Sequence, residues 1–187
     1  MNIVQRVKEI LLTPKAAWPV IDAEQTDITT LYTQYIMIIA LIPAVAGFIG
    51  MSVVGISAAD HTLRVPLFSG IVNMVVSYVL SLALIYVLAL LADRLAPNFA
   101  GQQNPVSALK LIAYSSTPSM VGGIFSLIPG LSQLGLLTTL YSLYLLFLGV
   151  PVMMKSPQEK ALSFTAIMLV GGLAAGGLLG MISMIFR

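Results

Sequence analysis

The sequence predicts an all-α fold: a polytopic membrane protein built as a bundle of five transmembrane helices, preceded by a short interfacial amphipathic helix. Two observations carry this. Of 187 residues, 58% are hydrophobic and 9% are charged, where a soluble domain carries about a quarter charged residues. The apolar residues also gather in five runs, at about 31–57, 66–91, 107–128, 131–153 and 162–186. Each run is long enough for the roughly 20 residues that a helix needs to cross a hydrocarbon core of about 30 Å. Two regions follow: a cytoplasmic amphipathic segment over 1–30 and a membrane domain over 31–187.

In the first region, NIVQRVKEILL over 2–12 sets Ile3, Val4, Val7, Ile10 and Leu11 at helical steps, with Gln5, Arg6, Lys8 and Glu9 between them. This is a one-sided helix. Two homes suit it and are compatible: the headgroup layer, where Arg6, Lys8 and Lys15 meet anionic lipid, and the inner mouth of the bundle. Trp18, the only tryptophan, follows Pro14 and fits an interfacial anchor. DAEQTDITT over 22–30 is acidic and suits the capping of the first membrane helix, whose free N–H groups carry partial positive charge. The first eleven residues lack the apolar centre of a signal peptide, and Ser57-Ala58-Ala59 comes too late for a cleavage site, so no cleavage is expected.

The connections sort the charges. Lys and Arg near membrane ends number seven on one side (Arg6, Lys8, Lys15, Arg94, Lys110, Lys155, Lys160) and two on the other (Arg64, Arg187). The positive-inside rule then places the N-terminus in the cytoplasm, and five crossings place the C-terminus outside. His61, the only histidine, falls with Asp60 in the first, outer connection and reads as a solvated loop residue. The second connection, ADRLAPNFAGQQNPVS over 92–107, reads as a long cytoplasmic loop broken by Pro97, Gly101 and Pro105. Ile128-Pro129-Gly130-Leu131 reads as a tight turn between the third and fourth helices. With a net charge of +2 and no dense basic stripe, nucleic acid is not expected as a partner. With no cysteine, thiolate chemistry and Cys-based metal sites are absent.

Within the apolar runs no ionisable residue falls near a midplane, which disfavours a proton-driven pump. Small and polar residues form stripes instead. The second helix carries Ser69, Asn73, Ser77 and Ser81 at four-residue spacing, and the fifth carries Gly172, Gly176 and Gly180. Such faces let helices approach and bond across one another, which favours packing. The sharper alternatives are a water-filled path along the serine stripe and a homodimer at the glycine stripe. In the third helix, AYSSTPSMVGG over 113–123 predicts a bend near Tyr114–Pro118, because Pro118 lacks an N–H and clashes with the carbonyl four residues back. Ser115, Ser116 and Thr117 supply hydroxyls for the freed carbonyls.

Three patches resemble the Yip family, membrane proteins named for interaction with Ypt/Rab GTPases, and its short bacterial YohC-type branch. They are Pro14-Lys15-Ala16-Ala17-Trp18 with Ile21 and Glu24; Ala113-Tyr114-Ser115-Ser116-Thr117-Pro118, similar to a tyrosine-then-proline signature; and the run Tyr141-Ser142-Leu143-Tyr144 through Gly149. Ile42 to Gly50 is also similar to the first helix of the YohC-type proteins. The resemblance implies five membrane helices with a cytoplasmic N-terminus. In eukaryotic members it also implies trafficking and membrane shaping through a long cytosolic N-terminal region. Here the tail is about 30 residues and the eukaryotic aspartate-leucine-tyrosine-glycine-proline motif is missing, so Rab binding is not carried over.

The expected function is that of a non-enzymatic inner-membrane protein, with no cofactor and no metal, acting through helix packing, oligomerisation, or contact with lipid or a membrane protein partner. The alternative is a channel or facilitator for a small solute. Rhomboid-like chemistry needs a serine paired with a base, and metalloprotease chemistry needs several ligands; neither set is visible.

Overall fold

The structure, a computed structural model, describes residues 2–58 and 61–184, with the backbone alone at 57, 58, 61 and 182–184. The expected outer residue Asp60 and the C-terminal Arg187 lie outside the described residues, as does the side chain of His61.

The amphipathic segment forms two helices. α1 (Ile3–Leu12) starts at Asn2, whose side chain accepts from the Gln5 N–H at 3.2 Å. α2 (Pro14–Ala23) starts on a proline, which needs no N–H in a first turn. Asp27 then caps the first long helix by accepting from the Thr30 N–H at 2.8 Å. That helix runs continuously over Ile28–Val54. It comprises α3 (Ile28–Leu31), a π-helical turn at Tyr32–Ile36, α4 (Met37–Phe48) and a second π-helical turn at Ile49–Val54. Gly55 ends it at φ 84°, a conformation that favours glycine.

The first connection is a small antiparallel ribbon rather than a plain loop. β1 (Ile56–Ala58) pairs with β2 (His61–Leu63), with Ile56 opposite Leu63. α5 (Leu67–Leu95) runs beyond the expected end at 91, and a 3-10 turn continues it through Phe99. The connection expected over 92–107 is therefore mostly helical. Ala96 accepts from the Gly101 N–H at 2.8 Å, and the Gln102 N–H reaches across to Met154 O at 2.8 Å.

The third apolar run departs most from expectation. In place of one helix over 107–128 there are α6 (Pro105–Ser115), α7 (Thr117–Gly122) and a 3-10 turn at Gly123–Leu127. Another 3-10 turn at Pro129–Leu134 leads into α8 (Gly135–Met153), and α9 (Gln158–Met184) closes the chain. Among the described residues four helices are long and apolar enough to cross a membrane, at Ile28–Val54, Leu67–Phe99, Pro129–Met153 and Gln158–Met181. The expected five continuous spans become four and a broken segment. Two prolines and three glycines between Pro118 and Gly130 prevent an unbroken ladder there.

That broken segment is the centre of the molecule. Every residue of α6 from Ala108 to Ser115 is buried, and α6 packs against α5 and α8. α7 packs on α8, α4 and α1. The core gathers at the N-terminal end of the bundle, around Trp18, Tyr35, Tyr114, Leu145 and Phe164.

Candidate functional site

Two polar places stand out, one at each end of the first long helix. At the N-terminal end, a cavity of about 410 Å³ opens between α1, the α2–α3 linker and Tyr114. Its wall is Arg6, whose side chain is 7% exposed and is held by Glu9 at 3.1 Å and by Glu24. The guanidinium carbon also stands 5.9 Å over the Tyr114 ring. Tyr114 stacks obliquely on Tyr35, with centroids 4.7 Å apart, and the Tyr35 hydroxyl shares a 2.7 Å hydrogen bond with Thr117 Oγ1.

Around this vestibule the N-terminal pair is fixed by polar contacts. Lys110, counted in the sequence among the charges at the cytoplasmic membrane ends, is buried. Its ammonium donates to Ile21 O at 2.8 Å and to Glu24 O at 2.5 Å, the open carbonyls at the end of α2. Lys155 pairs with Asp22, and the Tyr141 hydroxyl donates to Leu11 O at 2.7 Å. Trp18 is 1% exposed and lies on Gly149, where a Cβ would stand 2.6 Å from Trp18 Cζ2. Of the two compatible homes expected for this segment, the inner mouth of the bundle is where Trp18 and Arg6 are buried: α8 offers the ring a glycine notch, and Glu9 and Glu24 offer the guanidinium two carboxylates. Lys8 and Lys15 face outward. The Asp27 carboxyl, at the end of the linker, is held below the usual carboxylate range by hydrogen bonds from Thr30.

The AYSSTP hydroxyls work locally. Ser115 Oγ donates to Ile112 O at 3.2 Å and Thr117 Oγ1 to Ala113 O at 3.2 Å. The helix breaks at Ser116, whose carbonyl accepts from the Met120 N–H at 3.1 Å and from Ser119 Oγ at 2.8 Å. Pro118 sits in the first turn of α7, buried. The Ser119 N–H donates to Ser142 Oγ on α8 at 3.1 Å. Tyr144 packs on Tyr141 at 5.7 Å and is 43% exposed.

The second place is a groove of about 660 Å³ between the end of the first long helix and the start of α5. Ser69, Asn73 and Ser77 line it, and Ser81 does not. Ser77 and Ser81 give their hydroxyls to the carbonyls of Met74 and Tyr78. Opposite them is Ser52, 6% exposed, whose Oγ is buried without a hydrogen-bond partner among the described residues. The groove and the vestibule share no lining residue. On α9, Gly172 packs near Leu88, whereas a Cβ at Gly176 or Gly180 would meet nothing within 4 Å. Among the described residues no group of three His, Cys, Asp or Glu is placed to hold a metal ion.

Tyr35, Lys110 and Ser52 are the residues that sequence reasoning passed over in these roles. A lone serine in IGMSVV and a tyrosine one helical turn after Tyr32 were the available signals.

Fold and sites together define a helical integral membrane protein whose ion pairs gather at one end of the bundle. More narrowly, the chain belongs to the Yip1 domain family, whose model matches residues 8–181. It is similar to "Inner membrane protein YohC" of Escherichia coli strain K12, 28% identical over 163 residues that cover 85% of this chain and 84% of that protein. The same figures hold for the YohC protein of Escherichia coli O6:H1. No solved structure matches.

Proposed function

We propose that this is a non-enzymatic inner-membrane protein of the Yip type that organises its membrane through helix association and lipid or partner contact. The observation that carries the reading is the uncovered glycine face of α9. Gly171 and Gly172 are filled by Leu91 and Leu88 of α5, while Gly176, Gly177 and Gly180 have open space where a side chain would go. A backbone surface bare of side chains lets a second helix approach closely, and small residues at four-residue spacing favour such contacts in lipid. The inner-membrane location is supported by the printed name of the Escherichia coli relatives.

The test is Förster transfer between labelled copies in bilayers. Gly176→Leu with Gly180→Leu lowers the dimerisation constant about tenfold, or about 1.4 kcal/mol, without touching the monomer. A wild type that stays monomeric, captures no membrane partner and leaves liposome shape unchanged sinks the reading.

The N-terminus lies in the cytoplasm and the C-terminus outside, with the broken segment as a fifth crossing. Supporting this, α6 begins beside Met154 and α2, whereas the turn at Gly123–Leu127 ends beside α4 and the second π-helical turn. Its path of about 35 Å suits the hydrocarbon thickness. A C-terminal fusion to a reporter active only in the cytoplasm stays silent; an active one overturns the topology.

The groove favours a second reading, a facilitator for a small solute along the serine stripe. Its separation from the vestibule weighs toward the first. Solute flux in proteoliposomes, abolished by Ser77→Leu, would reverse that order.

A further inference from the structure

We propose that the groove between the first long helix and α5 is a binding site for a diacyl glycerophospholipid, one of whose ester carbonyls accepts from Asn73. Three independent observations lead there. The first is space: about 660 Å³ beside a helix that carries 29 residues. The second is unmet hydrogen bonding. Ser52 is 94% buried, and its hydroxyl is sealed against Gly70 beneath the groove with no partner among the described residues. Asn73, which lines the same groove, also has none. Polar groups taken from water without a partner are costly, and more so in lipid.

The third is depth. α5 spans about 43 Å, so a helix centred in a 30 Å core has roughly 6 Å outside at each end. Asn73 lies about 9 Å from the start of α5, only a few ångströms inside the apolar boundary. The bilayer offers acceptors there as glycerol-ester carbonyls, whereas deeper it offers none. Ser69 sits one turn nearer the surface and Ser77 one turn deeper, while Phe48, Met51 and Met74 line the flanks, so Asn73 stands in a polar stripe between apolar walls. Gly47 keeps the groove wide, since nothing stands within 4 Å of where its Cβ would be.

The inference deepens the lipid side of the proposed function and rests on it. Its failure is separable: the dimer assay at Gly176 and Gly180 reads a different helix. Loss of groove labelling with the dimer intact defeats this inference alone.

The probe is a diacyl phosphatidylethanolamine carrying a diazirine beside its esters, in phosphatidylethanolamine and phosphatidylglycerol vesicles holding the full chain. A diether analogue without carbonyls serves as control. After irradiation, the diacyl probe is recovered on peptides covering 43–52 and 66–77, enriched over the lipid-facing surface of α9. Asn73→Leu lowers that recovery about threefold, the factor one membrane hydrogen bond supports, and the diether probe labels wild type no better than it labels this variant. Gly47→Leu fills the groove and removes the enrichment, with an unchanged melting temperature as the check on folding. Labelling spread evenly over all exposed helices overturns the proposal, as does labelling unchanged in both variants. Labelling lost in Gly47→Leu but indifferent to Asn73 and to the ester also overturns it, because the carbonyls would then have no role.

Discussion

Gly149 is where the docking of the N-terminal helices can be tested most directly. An alanine methyl there would stand 2.6 Å from Leu111 Cδ1 and 2.6 and 2.8 Å from Trp18 Cζ2 and Cε2. Carbon atoms rest at about 3.5–4.0 Å, so each neighbour would have to withdraw by about 1 Å. Leu111 is 0% and Trp18 1% exposed, so neither has free volume behind it. Of the two, Trp18 is the one carried on a separable element, and α2 is expected to yield. Overpacking of this kind costs about 1–3 kcal/mol. Since Trp18 is the only tryptophan, the protein carries its own probe. Gly149→Ala shifts its emission to the red, raises its quenching by an aqueous quencher, and lowers the urea midpoint. Gly135→Ala, where nothing lies within 4 Å, leaves all three unchanged. If Gly149→Ala matches wild type in emission and stability, the notch does not hold α2 and the reasoning fails.

Other consequences follow from the same contacts. Ser142→Ala leaves the half-buried Ser119 N–H without its acceptor and costs about 1 kcal/mol; Thr139→Ala, whose exposed hydroxyl bonds its own helix at Gly135 O, stays within about 0.5 kcal/mol in the same denaturation series. Replacing both Glu9 and Glu24 by Gln strands the buried Arg6 cation. Discounted for carboxylates about a third exposed, this costs about 1–2 kcal/mol in the urea midpoint, more than Arg6→Met. Hydrogen bonding lowers the folded pKa of Asp27 below its unfolded value of about 3.9. Its contribution is therefore present above about pH 4 and lost as pH falls through the folded value. Hydrogen exchange at Ile28–Leu31 accelerates over that window, and Asp27→Asn, which keeps an acceptor, removes the pH dependence.

Composition made the membrane class legible, because apolar runs of this length have few other uses. Boundaries were less so. α5 continues through Asp93 and Arg94 because helix propensity and capping, not hydropathy, end a helix; Arg94 is a good former and its charge suits a last turn. The third run failed as a single helix for a reason already written in it: one proline bends a membrane helix, but prolines and glycines at 118, 122, 123, 129 and 130 confine the α-helical ladder to two short pieces, α6 and α7. Trp18 was ambiguous because an amphipathic residue near a membrane end has two good homes, and only the facing surface decides between them. That surface, Gly149, lies 131 positions away in sequence, so no local pattern could reveal it.

The same pairing explains why three individually weak motifs occur together. Trp18 comes from the first patch, Tyr114 and Thr117 from the second, and Tyr141, Ser142 and Gly149 from the third. Gly149 receives Trp18, Tyr141 donates to the Leu11 carbonyl near the end of α1, Ser142 satisfies the N–H beyond Pro118, and Tyr114 lies under Arg6. Each patch is thus one side of a single assembly that seats two amphipathic helices on a broken membrane segment. That seat takes Ile10, Trp18 and Ile21, and leaves Val4, Leu12 and Val20 of the helix pair exposed. In the proposed reading that exposed edge shares the lipid-facing work with the far end of α5 and with α9, where the groove and the open glycine face are found.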